Sequence, residues 1–534
     1  MNNRPQHSMN INDGWIAATL VLATFLLVFL ELGLPGVTWD EAHPNFPAAK
    51  NQAAWFQSLL SLDHPFAKET IDKYWETTSD HPSLPRTIAA FSFLLFDPFF
   101  DEITALRIPS AVSFSLLIGT LFLFLRLFLP RMGALAGAGS LVMMPRIFGH
   151  AHLFSLDIPI MCWWFWAAIV GYLVLEKEWK PWLFGLMYAI AFTTKLHAVF
   201  LPFPLLAWGM LQCGGDKQKW VRLGWSVAWG VILTPIIYIL LQPWLWHDTW
   251  LRIAERFFDY AEKSTARPIR LFYLGELYTN NTPWHYPLVM LALTWPVCIL
   301  GFILMGLGNL LWKKNESTTF PQWAQWQGGV HVFLLLLFLT PLLLVLLPLA
   351  QGYDGCRLFL PCFPFAACIA GFGYSSIHRF LSQKANPILL HAGLILLLVV
   401  PSLMAYAKIR PFYLAYYNEL AGGVAGAHEM GMETTYWCDA LTRDLLEEIN
   451  ATVQPGQTMR PLSMAYGAID YYKERGWLRP DIDHLADPPY DFHLLQSRQG
   501  MFTQVEWFLH KQRKPLAANY IGKVPLFALY GELE

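Results

Sequence analysis

Charged residues are scarce in this chain of 534 residues. Asp, Glu, Lys and Arg together make up 14% of it, whereas an average soluble domain contains about 25%. Hydrophobic residues account for 55%, and apolar runs of about 20 residues, long enough to cross a bilayer, recur along the sequence. This composition excludes an ordinary soluble protein and predicts a membrane protein with many spans.

The sequence also has a small net charge, no paired-cysteine motif and no visible internal repeat. The formal net charge is −2, which gives no reason to expect a nucleic-acid partner. The seven cysteines contain no CxxC motif and no zinc-type spacing, although a disulfide between Cys356 and Cys438 stays open. No internal repeat is visible, and this argues against a transporter built from two similar halves.

Long apolar runs and aromatic residues are abundant instead. The 24 Trp and 21 Tyr suit the two membrane interfaces, where amphipathic rings are enriched. The first apolar run is too long for a signal-peptide core and no small-residue cleavage site follows it, so we expect a retained anchor. The runs predict eleven transmembrane helices, at 14–34, 105–128, 132–146, 158–175, 181–194, 197–213, 222–242, 285–312, 328–349, 357–375 and 387–407.

Basic residues mark one set of connecting loops, and the positive-inside rule makes that side cytoplasmic. The N-terminus is then cytoplasmic, and the long loops face outward. The first outward loop, 35–104, contains "RTIAAFSFLLFDPFF", which predicts a helix lying on the membrane interface because it is too short and interrupted to cross. The basic residues are Arg126, Arg131, Lys177, Lys180, Lys217, Lys219, Arg222, Lys313, Lys314, Arg379 and Lys384.

The predicted domains are a membrane domain at 1–407 and a C-terminal extracytoplasmic domain at 408–534. The second of these is polar and contains short alternating segments such as "YDFHLL" and "KVPLFALYGEL". Such alternation is typical of strands, so a small α/β or α+β domain is expected after the last span.

The outward loops collect the ionisable residues. Such groups at membrane depth are costly and by default indicate a functional site. Cations next to acids at the interface suit a substrate with an anionic group such as a lipid phosphate, and a carboxylate near an incoming hydroxyl would serve as general base. The residues are Asp40, Glu41, His43, Asp80, His81, Arg86, Arg146, His150, His152, Asp157, Lys195, Tyr353, Asp354 and Arg357.

Each of these residues taken singly also has a purely structural interpretation. Asp40 and Glu41 are compatible with solvated loop acids, and Lys195 with a side chain that snorkels to the interface. Arg357 is placed to pair with Asp354, three residues away. The two histidines of "HAH" and the acid after them suggest a metal site only weakly, and the sequence leaves a divalent metal open.

The order of the motifs is more specific than any one of them. The series resembles the polyprenyl-phosphate-dependent GT-C glycosyltransferases, specifically the protein O-mannosyltransferase and aminoarabinose-transferase superfamily, over residues 14–375. The tail, with "YYNELAGG" and "ETTYW", resembles a bacterial branch. The motifs, in chain order, are "TWDEAHP", "HPSLPR" (with Ser83 where a second proline is usual), "ALRIPSAVSF", the segment from Arg146 to Asp157 and Pro159, Thr194–Lys195, "TPWHYP" and "RLFLPCFP".

The resemblance implies a GT-C fold and roles for individual residues. Asp40 would deprotonate the acceptor, Glu41 would help to bind and orient a substrate, and Asp157 would face the same cavity as a second catalytic acid. The donor phosphate would be held by Lys195 and Arg357, with Arg146 and Arg107 as further candidates for phosphate contact or structural pairing. The remaining pocket candidates are His43, His81, His150, His152, Tyr353 and Asp354.

The predicted function is therefore sugar transfer from a polyprenyl-phosphate donor to an extracytoplasmic lipid, glycan or protein, with inversion, in the cell envelope at a bacterial inner membrane. Two alternatives stay open. A secondary transporter or lipid flippase would use the same acids as a proton relay, but its ionisable groups belong near the bilayer midplane. A non-catalytic scaffold would tolerate the loss of Asp40.

Overall fold

The structure is a computed structural model that describes residues 11–76, 81–266, 269–279, 282–311, 329–346 and 352–532. Asp80 and the basic pair Lys313 and Lys314 lie outside the described residues. All seven cysteines are free, so Cys356 and Cys438 do not form the disulfide that the sequence left open.

Apolar helices dominate the chain before residue 410. In chain order the α-helices are α1 (Ile11–Phe29), α2 (Phe46–Ser58), α3 (Lys68–Trp75), α4 (Leu84–Phe96), α5 (Glu102–Arg126), α6 (Arg131–Val142), α7 (Pro145–Ala151), α8 (Asp157–Glu176), α9 (Pro181–Thr194), α10 (Pro202–Cys213), α11 (Lys217–Leu240), α12 (Thr249–Ala266), α13 (Tyr286–Thr294), α14 (Val297–Leu311), α15 (Val330–Leu346), α16 (Phe363–Leu381) and α17 (Pro387–Ile409).

Seven helical segments of the described residues are long and apolar enough to cross a membrane, and α6 with α7 forms an eighth, bent by 68°. Three of the seven are α1, α5 and α8; the others are Leu196–Cys213, α11, Arg357–Leu381 and α17. Shorter apolar helices fill the remaining predicted spans, namely α9, α14 and α15. Each of the eleven predicted spans therefore contains an apolar helix, and the predicted multi-pass helical architecture is confirmed.

Local sequence explains where several of these helices begin. The Asp101 carboxylate accepts a hydrogen bond from the Thr104 backbone N–H at 3.0 Å and so satisfies a free donor at the start of α5. Asn386 caps α17 in the same way. Pro145 stands at the first position of α7, where the missing N–H of proline is tolerated, and the bend between α6 and α7 falls just before it.

The basic residues of the connecting loops and the candidate site residues lie at different ends of the helix bundle. At one end Asp13 pairs with Arg126 at 3.2 Å and with Arg131 at 2.8 Å. Helix α5 ends at Arg126, and α8 runs from Asp157 to Glu176, so the basic loops lie at the end of the bundle opposite to Asp157. The separation of basic loops from the candidate site residues is thus a property of the helix packing.

Residues after 410 and one earlier hairpin supply all the described strands. The hairpin consists of β1 (Arg270–Tyr273) and β2 (Glu276–Thr279). The C-terminal sheet has the order β3-β4-β6-β5, in which β3 and β4 are parallel and the other pairs antiparallel. The expected small α/β domain near the C-terminus is present. Its elements are α18 (Gly423–Glu429), α19 (Arg443–Thr452), α20 (Tyr466–Glu474), α21 (Gln504–Gln512), β3 (Met459–Leu462), β4 (Phe492–Gln496), β5 (Ala517–Ile521) and β6 (Val524–Tyr530).

The C-terminal domain packs directly against the first long loop. The Gly36 N–H donates to the Asp439 carbonyl at 2.8 Å, and the Val37 N–H donates to the Tyr472 hydroxyl at 2.6 Å. A Cβ atom at Gly36 would come within 2.2 Å of the Leu441 carbonyl oxygen, so only glycine permits this close approach. The segment that leads to Asp40 is therefore held from both the membrane side and the C-terminal side.

Candidate active site

Arg357 lies at the centre of a cluster of charged side chains at one end of the bundle. Its guanidinium binds three carboxylates: Nη2 contacts Asp40, Nε donates to Asp157 Oδ2 at 2.8 Å, and Nη1 contacts Asp354 Oδ2 at 3.2 Å. Asp40 comes from the first long loop and Asp157 begins α8. The fold thus brings two distant segments of the chain, those of Asp40 and Asp157, to the guanidinium of a third.

Lys195 completes the membrane side of the cluster. It directly follows α9, and its Nζ donates to Asp157 Oδ1 at 2.8 Å. Asp157 therefore binds one cation through each of its oxygens. Lys195 is only 6% exposed, so it does not snorkel to a solvated surface.

The turn that precedes Arg357 shapes the opposite side of the cluster. Asp354 and Gly355 both have left-handed backbone conformations, with φ of 53° and 65°; aspartate tolerates this conformation better than most residues. The turn places the Asp354 carboxylate between Arg357 and Arg498, whose Nη2 lies 2.7 Å from Asp354 Oδ1. Burial raises the pKa of the neighbouring Tyr353 to about 12, so that phenol stays protonated at neutral pH.

Two members of the cluster come from the C-terminal domain and were missed by sequence reasoning. Arg498 contributes the ion pair with Asp354, and the Trp437 ring lies 4.3 Å from the Arg357 guanidinium carbon, which is a cation–π contact. Trp437 is part of the quoted "ETTYW", but the sequence of this motif does not indicate a chemical role for it. Arg498 stands in a stretch with no motif, so no signal in the sequence points to it.

The cluster contains as many cations as acids. Asp40, Asp157 and Asp354 face the cations Lys195, Arg357 and Arg498. An incoming phosphate would therefore compete with carboxylates for cations that are already in position. Among the described residues, no group of three or more His, Cys, Asp or Glu side chains is arranged to hold a metal ion.

Asp40 is the most accessible acid of the cluster. Its side chain is 24% exposed, compared with 1% for Asp157 and 5% for Asp354. Burial raises the pKa of the Asp40 carboxyl, and the charge of Arg357 opposes this rise only in part. Asp40 is consequently a stronger base than an ordinary aspartate, and the carboxylate that an acceptor would reach first.

Glu41 has a different environment from its neighbour. It is fully buried, and both of its oxygens lie 2.7 Å from the Arg107 guanidinium. The Thr38 and Phe154 N–H groups donate to the same carboxylate at 2.9 and 2.7 Å. All of these hydrogen bonds of Glu41 are to groups of the protein itself, and they fix the loop that presents Asp40.

Replacing Glu41 by glutamine is expected to lower the free energy of unfolding by about 3 kcal/mol, because it leaves the buried Arg107 without its counter-charge. Thermal unfolding of the purified full chain in detergent measures this change. Glu69→Gln, a substitution of an exposed acid in the same loop, is the control and should leave the unfolding temperature unchanged. Equal unfolding temperatures for the two variants would contradict the structural role of Glu41.

Arg146 lies beside the cluster without joining it. Its Nε donates to the Tyr416 carbonyl at 2.9 Å, and its guanidinium lies 4.5 Å from the centre of the Tyr417 ring. A Cβ atom on Gly355 would come within 2.4 Å of Arg146 Nη1, which shows how closely it approaches the turn before Arg357. Its predicted contact with the donor phosphate stays a prediction.

The predicted pocket histidines occupy four different environments. His150 borders the cluster, with its Nε2 3.4 Å from the Tyr436 hydroxyl and its ring 5.3 Å from Trp437. His152 is buried elsewhere, where its Nδ1 bonds the Phe148 carbonyl oxygen at 2.6 Å. The "HAH" pair therefore does not point at one centre.

The other two histidines, His43 and His81, belong to the first long loop, 35–104. Burial, reinforced by the nearby charges of Lys195 and Arg86, holds the pKa of His81 well below its usual range. His81 is consequently neutral and close to the cluster. His43 is exposed and lines a groove on the opposite side of the first long loop.

Part of the chain matches a family of known glycosyltransferases. Residues 80–247 match the family model described as dolichyl-phosphate-mannose-protein mannosyltransferase, a segment that includes Arg107, Asp157 and Lys195. This match confirms the family resemblance over that part of the chain. No curated protein matches the sequence.

Solved structures establish the fold. The crystal structure of ArnT from Cupriavidus metallidurans bound to undecaprenyl phosphate is 14% identical, covers 97% of both chains and has a TM-score of 0.50. The apo structure of the same protein is 14% identical, covers 95% of this chain and 92% of its own, and has a TM-score of 0.51. A third structure is that of the archaeal oligosaccharyltransferase AglB from Archaeoglobus fulgidus in complex with an inhibitory peptide and a dolichol-phosphate. It is 12% identical in sequence, and the match covers 90% of this chain and 62% of AglB with a TM-score of 0.45. The chain has the GT-C fold that the motifs predicted, and the family match agrees with the expected glycosyltransferase activity.

Proposed function

We propose that the protein transfers a sugar from a polyprenyl-phosphate donor to an acceptor on the extracytoplasmic side of a bacterial inner membrane. The observation that carries this proposal is the meeting of Asp40, Asp157, Lys195 and Arg357 at the end of the bundle opposite to the basic loops. ArnT, which shares the fold, was crystallised with undecaprenyl phosphate, and this supports the donor class.

The proposed reaction is a single displacement. The acceptor oxygen attacks the anomeric carbon of the sugar while Asp40 takes its proton. The bond from that carbon to the phosphate oxygen breaks, and its electron pair leaves with the polyprenyl phosphate. Lys195 and Arg357 stabilise the charge that develops there, which is the usual task of a preorganised cation pair. One attack from the face opposite to the leaving group inverts the anomeric centre.

Asp157 is a positioning residue in this scheme. It is 1% exposed, which leaves little room for an acceptor, and each of its oxygens binds one of the two phosphate-binding cations. Held in this way, the cations need little reorganisation when the donor arrives. The predicted direct catalytic role of Asp157 is thereby narrowed to the orientation of Lys195 and Arg357.

The location of the charges favours an enzyme over a transporter. In the described membrane helices, Asp, Glu, Lys and Arg occur only within about two turns of a helix end. A proton-coupled transporter places such groups near the bilayer midplane, in helices that are broken there. The unbroken spans of the described residues therefore lack the relay that a flippase of this kind needs, and the broken span of α6 and α7 contains no Asp or Glu.

The direct test uses the purified full chain in liposomes with polyprenyl-phosphate donors carrying labelled mannose, aminoarabinose or another sugar. We expect release of polyprenyl phosphate from at least one donor, with the label transferred to an envelope lipid, glycan or protein or, more slowly, to water. Intact donor that crosses the bilayer without cleavage would support the flippase instead. Absence of cleavage across the whole donor panel would contradict the proposed reaction.

The pH profile should show the raised pKa of Asp40. Only the ionised carboxylate accepts a proton, so kcat/KM should fall as the pH drops through the pKa of Asp40 in the folded enzyme. Because burial raises that pKa, the acid limb is expected above the pH range in which an ordinary aspartate titrates. An acid limb at or below that range would show that another group limits the rate.

Replacing Lys195 by methionine is expected to raise KM for the donor about tenfold, the value of one charged hydrogen bond to phosphate. The label-release assay measures KM and kcat separately. Lys68→Met serves as the control, because Lys68 pairs with Asp248 on an exposed part of the protein. An unchanged KM together with an unchanged kcat in Lys195→Met would place the donor phosphate elsewhere.

A further inference from the structure

A groove lies next to the ion cluster. It has a volume of about 640 Å³ and lies between the first long loop and α20 of the C-terminal domain. Trp39 lines this groove directly before Asp40 in sequence, and its ring also lies 5.7 Å from the Arg498 guanidinium carbon. Trp39 therefore borders both the groove and the charged cluster.

Aromatic rings form much of the groove. Phe46 and Tyr471 pack against each other with their ring centres 5.6 Å apart, and both line the cavity. Tyr466, at the start of α20, is 48% exposed. Phe46 and Tyr471 are only 1% and 8% exposed, so the ring surface that a ligand can reach belongs to Tyr466 and to the partly exposed Trp39. Each of these two presents an apolar face together with a polar tip.

The charged groups of the groove carry a negative excess. Asp470 and Glu474 project from α20, and Lys50 is the cation among the lining residues. Asp470 contacts His484 Nε2 at 2.9 Å through one oxygen, yet its side chain is 56% exposed. Two carboxylates against one ammonium disfavour a phosphate and provide acceptors for hydroxyl groups.

The backbone of the groove is unsuited to a peptide. Residues 41–51 and α20 provide most of its walls, and both are helical except at His43, whose backbone is extended. Helical N–H and C=O groups bond within their own helix, whereas an extended peptide is recognised mainly through a free strand edge. The groove is therefore expected to recognise its ligand through side chains. Exposed rings next to carboxylate acceptors suit the flat faces and hydroxyl groups of a saccharide.

We infer that this groove binds a neutral saccharide segment of the acceptor and delivers its hydroxyl past Trp39 to Asp40. The inference rests on the proposed sugar transfer for the direction of delivery, but the binding itself does not depend on it. It specifies the acceptor class as a glycan, or the glycan part of a lipid, that carries no phosphate within the groove.

Gly467 offers a direct way to fill the groove. A Cβ atom there would lie 3.8 Å from the Ala42 Cβ and 3.9 Å from the His43 Cβ, which is ordinary van der Waals contact. Gly467→Ala therefore fits without displacement and serves as the control, while Gly467→Trp fills the space. Tyr466→Ala removes an aromatic wall, and Tyr520→Ala, with 44% of the residue exposed on β5, is its matched control.

The experiment measures binding of the full chain in detergent to an array of neutral and phosphorylated oligosaccharides. We expect the unmodified protein to bind neutral members. Affinity should weaken about tenfold or more in Gly467→Trp, which fills the groove, and in Tyr466→Ala, which loses an aromatic contact. Both controls should bind like the unmodified protein. Slow cleavage of the donor by water should be the same in all five proteins, because the ion cluster is untouched.

Other outcomes would overturn the inference. These are binding of phosphorylated oligosaccharides alone, binding of none, undiminished binding by a folded Gly467→Trp variant, or displacement of the glycan by an envelope-protein peptide. Glycan binding without any donor cleavage would instead overturn the proposed transfer reaction and leave the saccharide groove supported. The two proposals therefore fail in distinguishable ways.

Discussion

Replacing Asp40 by asparagine is expected to reduce the rate of sugar transfer about a thousandfold, within the range assigned to a positioned general base. Asparagine retains the shape of the side chain and can still bind Arg357 through its amide oxygen, but it takes no proton from the acceptor. The expected loss therefore falls on kcat, with little change in KM for the donor. Transfer of labelled sugar to the acceptor measures both constants.

Folding is expected to survive this substitution. Arg357 keeps Asp157 and Asp354 as partners, so no uncompensated charge is left behind. Asp63→Asn, which changes an exposed acid of the same loop, controls for a general effect of charge and should be fully active. A folded Asp40→Asn protein with normal turnover would remove Asp40 from the chemistry.

Replacing Arg357 by methionine is expected to reduce transfer at least a hundredfold, because the variant loses a preorganised cation aimed at the leaving phosphate. It should also lower the unfolding temperature. Three carboxylates surround this guanidinium, and without it they repel one another in a largely buried space. Transfer rate and thermal unfolding of the same preparation measure the two effects.

A double substitution separates the two roles of Arg357. Adding Asp157→Asn to Arg357→Met removes one of the crowded carboxylates, so we expect a partial recovery of the unfolding temperature and no recovery of transfer. Arg443→Met, at an exposed ion pair with Glu447, should change neither quantity. Recovery of transfer together with stability would show that Arg357 acts only by holding the fold.

The membrane architecture could be predicted from the sequence because each span is a local property. A run of apolar residues such as 14–34 is recognisable without its neighbours, since the cost of placing polar groups in a bilayer is paid residue by residue. The structure places α1 at Ile11–Phe29, and the small differences at the ends reflect turns that hydropathy does not detect. The segments "YDFHLL" and "KVPLFALYGEL" do overlap the strands β4 and β6, but both strands are buried on both faces rather than on alternate residues.

The candidate site was predicted from the order of its motifs rather than from contacts. That order pointed to Asp40, Asp157, Lys195 and Arg357. The structure brings these four side chains together, and their catalytic and binding roles stay predictions. It gave Asp40 the role of base and Glu41 that of binding and orienting a substrate, but it could not show that Glu41 is buried. Only the burial of Glu41 against Arg107 distinguishes a loop support from an accessible base.

The sequence by itself thus determined a helical membrane protein with a basic end, an ion-rich opposite end and a small sheet domain after the last span. The tertiary structure alone decided that Arg498 and Trp437 join the cluster, that His152 is turned away from it, and that a groove opens beside Trp39. The reason is physical: hydropathy and turn preference act over neighbouring residues, whereas an ion pair between residues such as Asp40 and Arg357 exists only after the helices between them have packed.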